Sequence, residues 1–121
     1  MYSSMLKSKL HQARVTQAEL QYEGSLTIDR ELMDSVQILP YEKVLVSNMT
    51  NGNRFETYAI PGPAGSGVIC LNGPTAHLGA IGDRLVILAF AMVPTGEARR
   101  QRPYILVLDD KNKPTGPLKD I

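Results

Sequence analysis

Apolar residues in this chain come in short bursts of alternation, seldom at the three-and-four spacing of a long helix. From Lys9 to Val15, Leu10, Ala13 and Val15 outline a first strand, with imperfect alternation. Leu26-Thr27-Ile28 predicts a short second strand. Val44 to Thr50 and Arg54 to Ile60 flank Asn51-Gly52, a pair suited to a tight type I′ hairpin turn. Val68-Ile69-Cys70-Leu71 reads as a buried strand ended by Asn72-Gly73-Pro74. Asp83 to Val93 is a long apolar run between Gly82 and Pro94, and Tyr104 to Leu108 is a last strand.

Two brief helical turns interrupt this pattern. Thr16-Gln17-Ala18-Glu19 has the form of a capping box. Asp29 is placed to cap a helix over Arg30 to Val36, whose Leu32, Met33 and Val36 share a face until Pro40 forbids continuation. Pro61 to Gly67 predicts a loop, because its prolines and glycines remove donors and order. Beyond Asp109 the charged, proline-containing tail is expected to be loosely held. Six or so short strands with so little helix predict an all-β chain, mainly β with short helices. A closed barrel would remove its exposed edges.

Composition narrows the classes. At 121 residues and 43% hydrophobic the chain fits one domain with a modest core, with no sign of disorder. The net charge of +1 comes from scattered Lys and Arg, so neither a nucleic-acid surface nor an anionic-membrane surface is expected. The locally basic Arg99-Arg100-Gln101-Arg102 reads as a solvated loop. Cys70 is the one cysteine; it cannot form an internal disulfide and is read as a buried, inert thiol. No apolar run is long enough to span a bilayer and no signal-peptide core is visible, so a cytoplasmic protein is expected. Neither histidine has a partner at metal-ligand spacing, so no metal site is expected, and no phosphate loop or dinucleotide fingerprint is present.

The stretch that organises the chain is Tyr22-Glu23-Gly24-Ser25-Leu26. Before it comes Met5-Leu6-Lys7-Ser8-Lys9-Leu10-His11; after it come Thr50-Asn51-Gly52-Asn53-Arg54-Phe55-Glu56-Thr57-Tyr58-Ala59-Ile60 and Leu71-Asn72-Gly73-Pro74-Thr75-Ala76-His77. In this order the segments resemble the aspartate 1-decarboxylases, from Met5 to about Pro103. The resemblance implies a six-stranded double-psi β-barrel that assembles as a homotetramer, with sites at subunit interfaces. It further implies self-cleavage between Gly24 and Ser25 into residues 1–24 (the β chain) and 25–121 (the α chain), with an accessory maturation factor as one open question. Ser25 would become a covalent pyruvoyl cofactor. The activity implied is decarboxylation of L-aspartate to β-alanine and CO2, which supplies pantothenate and coenzyme A synthesis.

The chemistry is coherent with these residue types. Decarboxylating an amino acid leaves electrons on the α-carbon, which no ordinary side chain can absorb. A pyruvoyl ketone condenses with the substrate amine as a Schiff base, and the adjoining amide carbonyl takes up the charge. A serine after a glycine can produce it: the hydroxyl attacks the Gly24 carbonyl, and the ester eliminates and hydrolyses to ketone and ammonia. Gly24 is read as tolerating unusual φ/ψ there and leaving its carbonyl open.

Arg54 offers a planar fork matched to a substrate carboxylate. Lys9, by resemblance, lies near the carboxylate end of the substrate. Tyr58 has a phenol able to protonate the α-carbon after CO2 leaves, which makes it the second catalytic candidate beside Ser25. Thr57 matches a substrate-contacting threonine of the family. On a regular strand, however, Thr57 points away from Arg54 and Tyr58, which a bulge or two sides of one interface would resolve. Asn72-Gly73-Pro74-Thr75 is a turn able to aim amides and a hydroxyl at substrate or at the pyruvoyl carbonyl. Many relatives carry alanines at the last two positions, and Pro74 has no amide to donate. His11 matches a family histidine near the site. Two other readings stay open: a pyruvoyl enzyme for a different acidic amino acid such as glutamate, differing by one methylene, and an unprocessed barrel acting only as a binding module.

Overall fold

A computed structural model describes residues 1–120. Eight strand segments form one sheet in the order β2-β6-β3-β5-β4-β7-β1-β8. They are β1 (Tyr2–Arg14), β2 (Gln17–Glu19), β3 (Ser25–Asp29), β4 (Lys43–Asn48), β5 (Arg54–Gly62), β6 (Ile69–Asn72), β7 (Arg84–Pro94) and β8 (Tyr104–Val107). One α-helix, α1 (Arg30–Ser35), and two 3-10 turns, Gly73–His77 and Thr95–Arg100, complete the set. The chain is mostly β, as expected, and its sheet curls into a small barrel.

The curling follows from β1 and β2. β1 pairs antiparallel with β7 over its whole length and parallel with β8. Past Arg14 the chain changes partner: Val15 N donates to Asp83 O, then Thr16 N donates to Ile69 O, and β2 runs parallel to β6. One continuous segment therefore joins two ends of the strand order. The imperfect alternation of the first strand also has its cause here. Register shifts between Leu6 and Ser8 and between His11 and Ala13 mark bulges, and Gln12 has φ 69°, so Leu10 and Ala13 both face the core despite odd spacing.

Inward residues of the strands, Leu10, Leu26, Ile28, Val46, Ile69, Leu71, Leu85 and Ile87 among them, are fully buried. Leu32, Met33 and Val36 close one side from α1 and its end. Asp29 caps α1 as expected, accepting from Glu31 N at 2.8 Å, and also accepts from Gly65 N and Gly67 N at 2.9 and 2.8 Å. That buried carboxylate thus ties the Pro-Gly loop to the end of β3.

Four local expectations are corrected. Thr16–Glu19 is no helical turn: the Thr16 hydroxyl bonds with the Ile69 backbone, and pairing with β6 outweighs the local cap. The β4–β5 connection is no two-residue type I′ turn. Asn48 Oδ1 takes the amides of Thr50 and Asn51, and only Gly52 has positive φ, 81°. Arg99 and Arg100 are solvated but end the 3-10 turn Thr95–Arg100. The tail is held: Asn112, 1% exposed, bonds through its side chain to Arg14 N, Arg14 O and Gly67 O, and Lys119 N donates to Ile105 O.

Candidate active site

Ser25 is the first residue of β3 and lies between two paired strands. On one side Ser25 faces Asn72 of β6 in antiparallel register; on the other, parallel pairing sets Leu26 beside Ala59 of β5. Leu26 and Ala59 point into the core at 0% exposure. By strand alternation Ser25, Thr27 and Tyr58 point to the outer face, as do Cys70 and Asn72 of β6. Ser25 is nevertheless covered, at 1% exposure, because the chain from Tyr22 to Gly24 and the turn Gly73–His77 fold over it.

The contacts of Ser25 are specific. Asn72 Nδ2 donates to Ser25 Oγ at 2.9 Å and to Thr27 Oγ1 at 2.8 Å. The Cys70 thiol donates to Asn72 Oδ1 at 3.2 Å, which fixes which end of the amide faces Ser25. Burial pushes the Cys70 thiol up from its ordinary value, helped by the charge of Glu19, so the sulfur keeps its proton. The Ser25 hydroxyl proton has only Glu23 O, 3.5 Å away. Thr75 Oγ1 lies 2.8 Å from Asn72 O and 3.3 Å from Ser25 O. Thr27 and Cys70 were missed as contributors to the site, although strand alternation alone sets each on the face of its neighbour Ser25 or Asn72.

Gly73 supplies the closest approach. Its φ is +63°, and a Cβ there would stand 2.9 Å from Gly24 N and closer still to Tyr22 O. Gly24 itself has no positive φ, and its own Cβ would only touch Pro74 Cδ at 3.4 Å. The unusual conformation expected of Gly24 thus belongs to Gly73. Pro74, exposed, opens the 3-10 turn at a position where no amide is needed.

Along β5, Arg54, Glu56 and Tyr58 are exposed in alternation while Phe55 and Thr57 turn the other way. The β4–β5 register runs unbroken from Lys43↔Tyr58 to Ser47↔Arg54, so no bulge brings Thr57 round to the face of Tyr58. Tyr58 packs against Tyr41 with ring centroids 6.3 Å apart. Arg54 makes no ion pair among the described residues. It lies four residues from Tyr58, about 13 Å along the strand.

Lys9 and His11 occupy β1, far from Ser25 in strand order. Arg54, Ser47, Val86, His11 and Val107 form one row across five strands, and Glu56, Leu45, Leu88, Lys9 and Ile105 form the next. Arg54 and His11 are therefore on one outer face but three strands apart, about 14 Å. Lys9, His11, Gln12 and Lys119 line an open depression of about 650 Å³. His11 Nδ1 is buried without a partner among the described residues. Desolvation first, then the charges of Lys9 and Lys119, lower the His11 pKa from its ordinary 6.5. Among the described residues no group of side chains is arranged to hold a metal ion, and no helix is long and apolar enough to cross a membrane.

A curled sheet with a buried, side-chain-pinned serine at the head of an inner strand defines a small β-barrel whose candidate chemistry sits at a backbone junction. The chain belongs to the aspartate decarboxylase family, whose sequence model matches residues 1–115. It is 56% identical over 110 residues to the aspartate 1-decarboxylase of Syntrophobacter fumaroxidans, covering 91% of this chain and 89% of that protein. It is 55% identical over 113 residues to that of Pelotomaculum thermopropionicum, covering 93% and 86%. The aspartate 1-decarboxylase of Lactiplantibacillus plantarum is 50% identical over 115 residues, covering 95% and 88%.

Proposed function

We propose that this protein decarboxylates L-aspartate to β-alanine, the precursor needed for pantothenate, using a pyruvoyl group that it makes by breaking its own Gly24–Ser25 bond. The observation that carries this reading is the buried Ser25 Oγ fixed by Asn72 Nδ2 at 2.9 Å, at the junction where the family resemblance expects cleavage. Holding the hydroxyl in one rotamer makes attack on the preceding carbonyl a matter of local geometry. The surroundings fit the group that would result. Gly73 puts no side chain of its own against the 22–24 backbone, Thr75 brings a hydroxyl to the Ser25 carbonyl, and among the described residues no ionised side chain bonds to Ser25. When formed, the pyruvoyl group supplies the electron sink that decarboxylation requires.

The remaining residues serve binding and proton handling. Tyr58, on the face of Ser25 in the adjacent strand, holds the proton that replaces carbon dioxide at the α-carbon. Arg54 clamps the retained carboxylate through its planar fork, and Lys9 adds positive charge. Asn72, Gly73 and Thr75 border the reacting junction, with Pro74 covering it and offering no amide. Thr57, half-buried on the side of Val44 and Ala59, borders the depression that Lys43, Glu56 and Tyr58 also line and meets substrate from there. Strand order sets Lys9 and His11 four strands from Ser25, and register sets Arg54 about 13 Å along β5 from the neighbour of Ser25, which supports a homotetramer whose sites draw residues from neighbouring subunits.

Intact mass of purified protein tests the reading. Two pieces, residues 1–24 and 25–121, with the longer lacking a free amino terminus, together with conversion of aspartate to β-alanine, are expected. A single intact chain in every molecule, with or without a candidate maturation protein, would remove the cofactor and the proposal with it.

A further inference from the structure

Thr75 has one hydroxyl proton and two carbonyl oxygens within reach: Asn72 O at 2.8 Å and Ser25 O at 3.3 Å. The side chain is buried, at 6% exposure, so water does not compete freely for that proton. Swinging it from one oxygen to the other needs only rotation about the Cβ–Oγ bond, with no heavy atom displaced. In the resting chain the shorter contact, three residues back in the same turn, holds it. A negative charge arising on Ser25 O would draw it across, because a hydrogen bond to an anionic oxygen is about twice as strong as a neutral one.

Such a charge arises at one step of the self-processing proposed above, on which this inference rests. Attack of Ser25 Oγ on the Gly24 carbonyl moves the acyl group from nitrogen to oxygen and frees the Ser25 amine. The ester must then eliminate. A water molecule takes the Ser25 α-proton, and the electron pair left behind spreads onto Ser25 O. That pair then forms the Cα–Cβ double bond as the Cβ–Oγ bond breaks, and residues 1–24 depart as a carboxylate. Tautomerisation and hydrolysis of the resulting enamine release ammonia. We propose that Thr75 is a catalytic residue of the elimination, donating its hydroxyl proton to Ser25 O as that oxygen becomes an enolate. The attack step places its charge on the Gly24 oxygen instead, so it does not call on this donor.

The test separates the two steps. Thr75→Val keeps the shape and removes the donor; Thr75→Ala asks for less room, and Thr75→Ser restores the hydroxyl. Purified wild type should mature into two chains. Thr75→Val and Thr75→Ala should form the ester and stall there, with maturation slowed about 10²–10³-fold, the usual effect of losing one oxyanion donor. Brief treatment with neutral hydroxylamine should split the stalled chain into a hydroxamate of residues 1–24 and a fragment beginning at an unblocked Ser25. Mass distinguishes this from any cut at Asn51-Gly52 or Asn72-Gly73. Thr75→Ser should mature as wild type does. Maturation of Thr75→Val at the wild-type rate would overturn the assignment, as would a stalled chain resistant to hydroxylamine, since the hydroxyl would then serve attack or merely brace the turn. A wild type that itself stays whole and resistant would overturn the self-processing reading and this step with it.

Discussion

The head of β3 and the outer face carrying Arg54, His11 and Lys9 are built to opposite standards. Around Ser25 the buried side chains are linked within one chain: Cys70 orients Asn72, Asn72 holds Ser25 and Thr27, and Thr75 has two carbonyls within reach of its proton. On the outer face Arg54, His11 and Lys9 sit on two strands, β5 and β1, with β4 and β7 between them. Among the described residues Arg54 lacks an ion pair and His11 Nδ1 is buried without a partner. An orphaned buried nitrogen beside half-exposed apolar strand residues marks a surface completed by something else. The contrast fits the proposed division of labour, in which the reactive group is prepared within a single chain and used by an assembly of several.

The largest test removes the first region outright. Ser25→Ala should leave one uncut 121-residue chain with no turnover, read by mass. Gly73→Ala should come close to it, because its Cβ collides with the 22–24 backbone at a left-handed φ. Strain of this kind costs about 1–3 kcal/mol before the collision is counted, so a lowered melting temperature should accompany failed cleavage. A Gly73→Ala protein that matures and melts normally would show the junction to be looser than described.

Tyr58→Phe should cut the comparison along its seam. Cleavage needs no phenol, so two chains should form, while turnover falls about 10²–10⁴-fold. Arg54→Ala should also cleave normally but bind aspartate more weakly, by about 1.5–3 kcal/mol, seen as a raised KM. Co-expressing Ser25→Ala with Arg54→Ala should restore activity if one copy supplies the serine and another the arginine. Absence of any recovery would place both in the same copy.

The smallest effect concerns His11. Its folded pKa lies below the unfolded 6.5, so the unfolded state binds the proton more readily. The stability linked to this group is complete above 6.5 and is lost as pH falls from there through the folded value. Thermal melts of wild type should therefore drop more between pH 7 and 5 than those of His11→Gln. Equal drops would mean that the imidazole is not held neutral by Lys9, Lys119 and burial.

What the sequence could disclose was set by how local each interaction is. Asp29 capping α1 depends on near neighbours and was readable, whereas the loop expected over Pro61–Gly67 loses Pro61 and Gly62 to β5, which pairs them with Ile28 and Asp29 of β3. The strand over Gln17–Glu19 depends on β6 some fifty residues away, so the local capping pattern misled. Asn112 reaches back to Arg14 across 98 positions, and nothing around it in the tail announces that. The site divides in the same way. Ser25, Asn72 and Gly73 stood out only through the family resemblance of the segments that carry them, whereas Thr27 meets Asn72 when β3 and β6 pair across 45 residues.

The segment that closes the sheet has a consequence for the life history of the molecule. β1 and β2 lie wholly within residues 1–24, and they touch β7, β8 and β6. If the bond after Gly24 breaks as proposed, the closing segment is a separate peptide held only by ladders and packing. The mature protein is then a complex of two unlike chains, although it folded as one. Unfolding it becomes a dissociation, with a midpoint that rises with protein concentration. Reassembly must bring together two pieces that were formerly neighbours by covalent connection. Each molecule so cleaved would fold unimolecularly once, and any later recovery from denaturation would follow second-order kinetics.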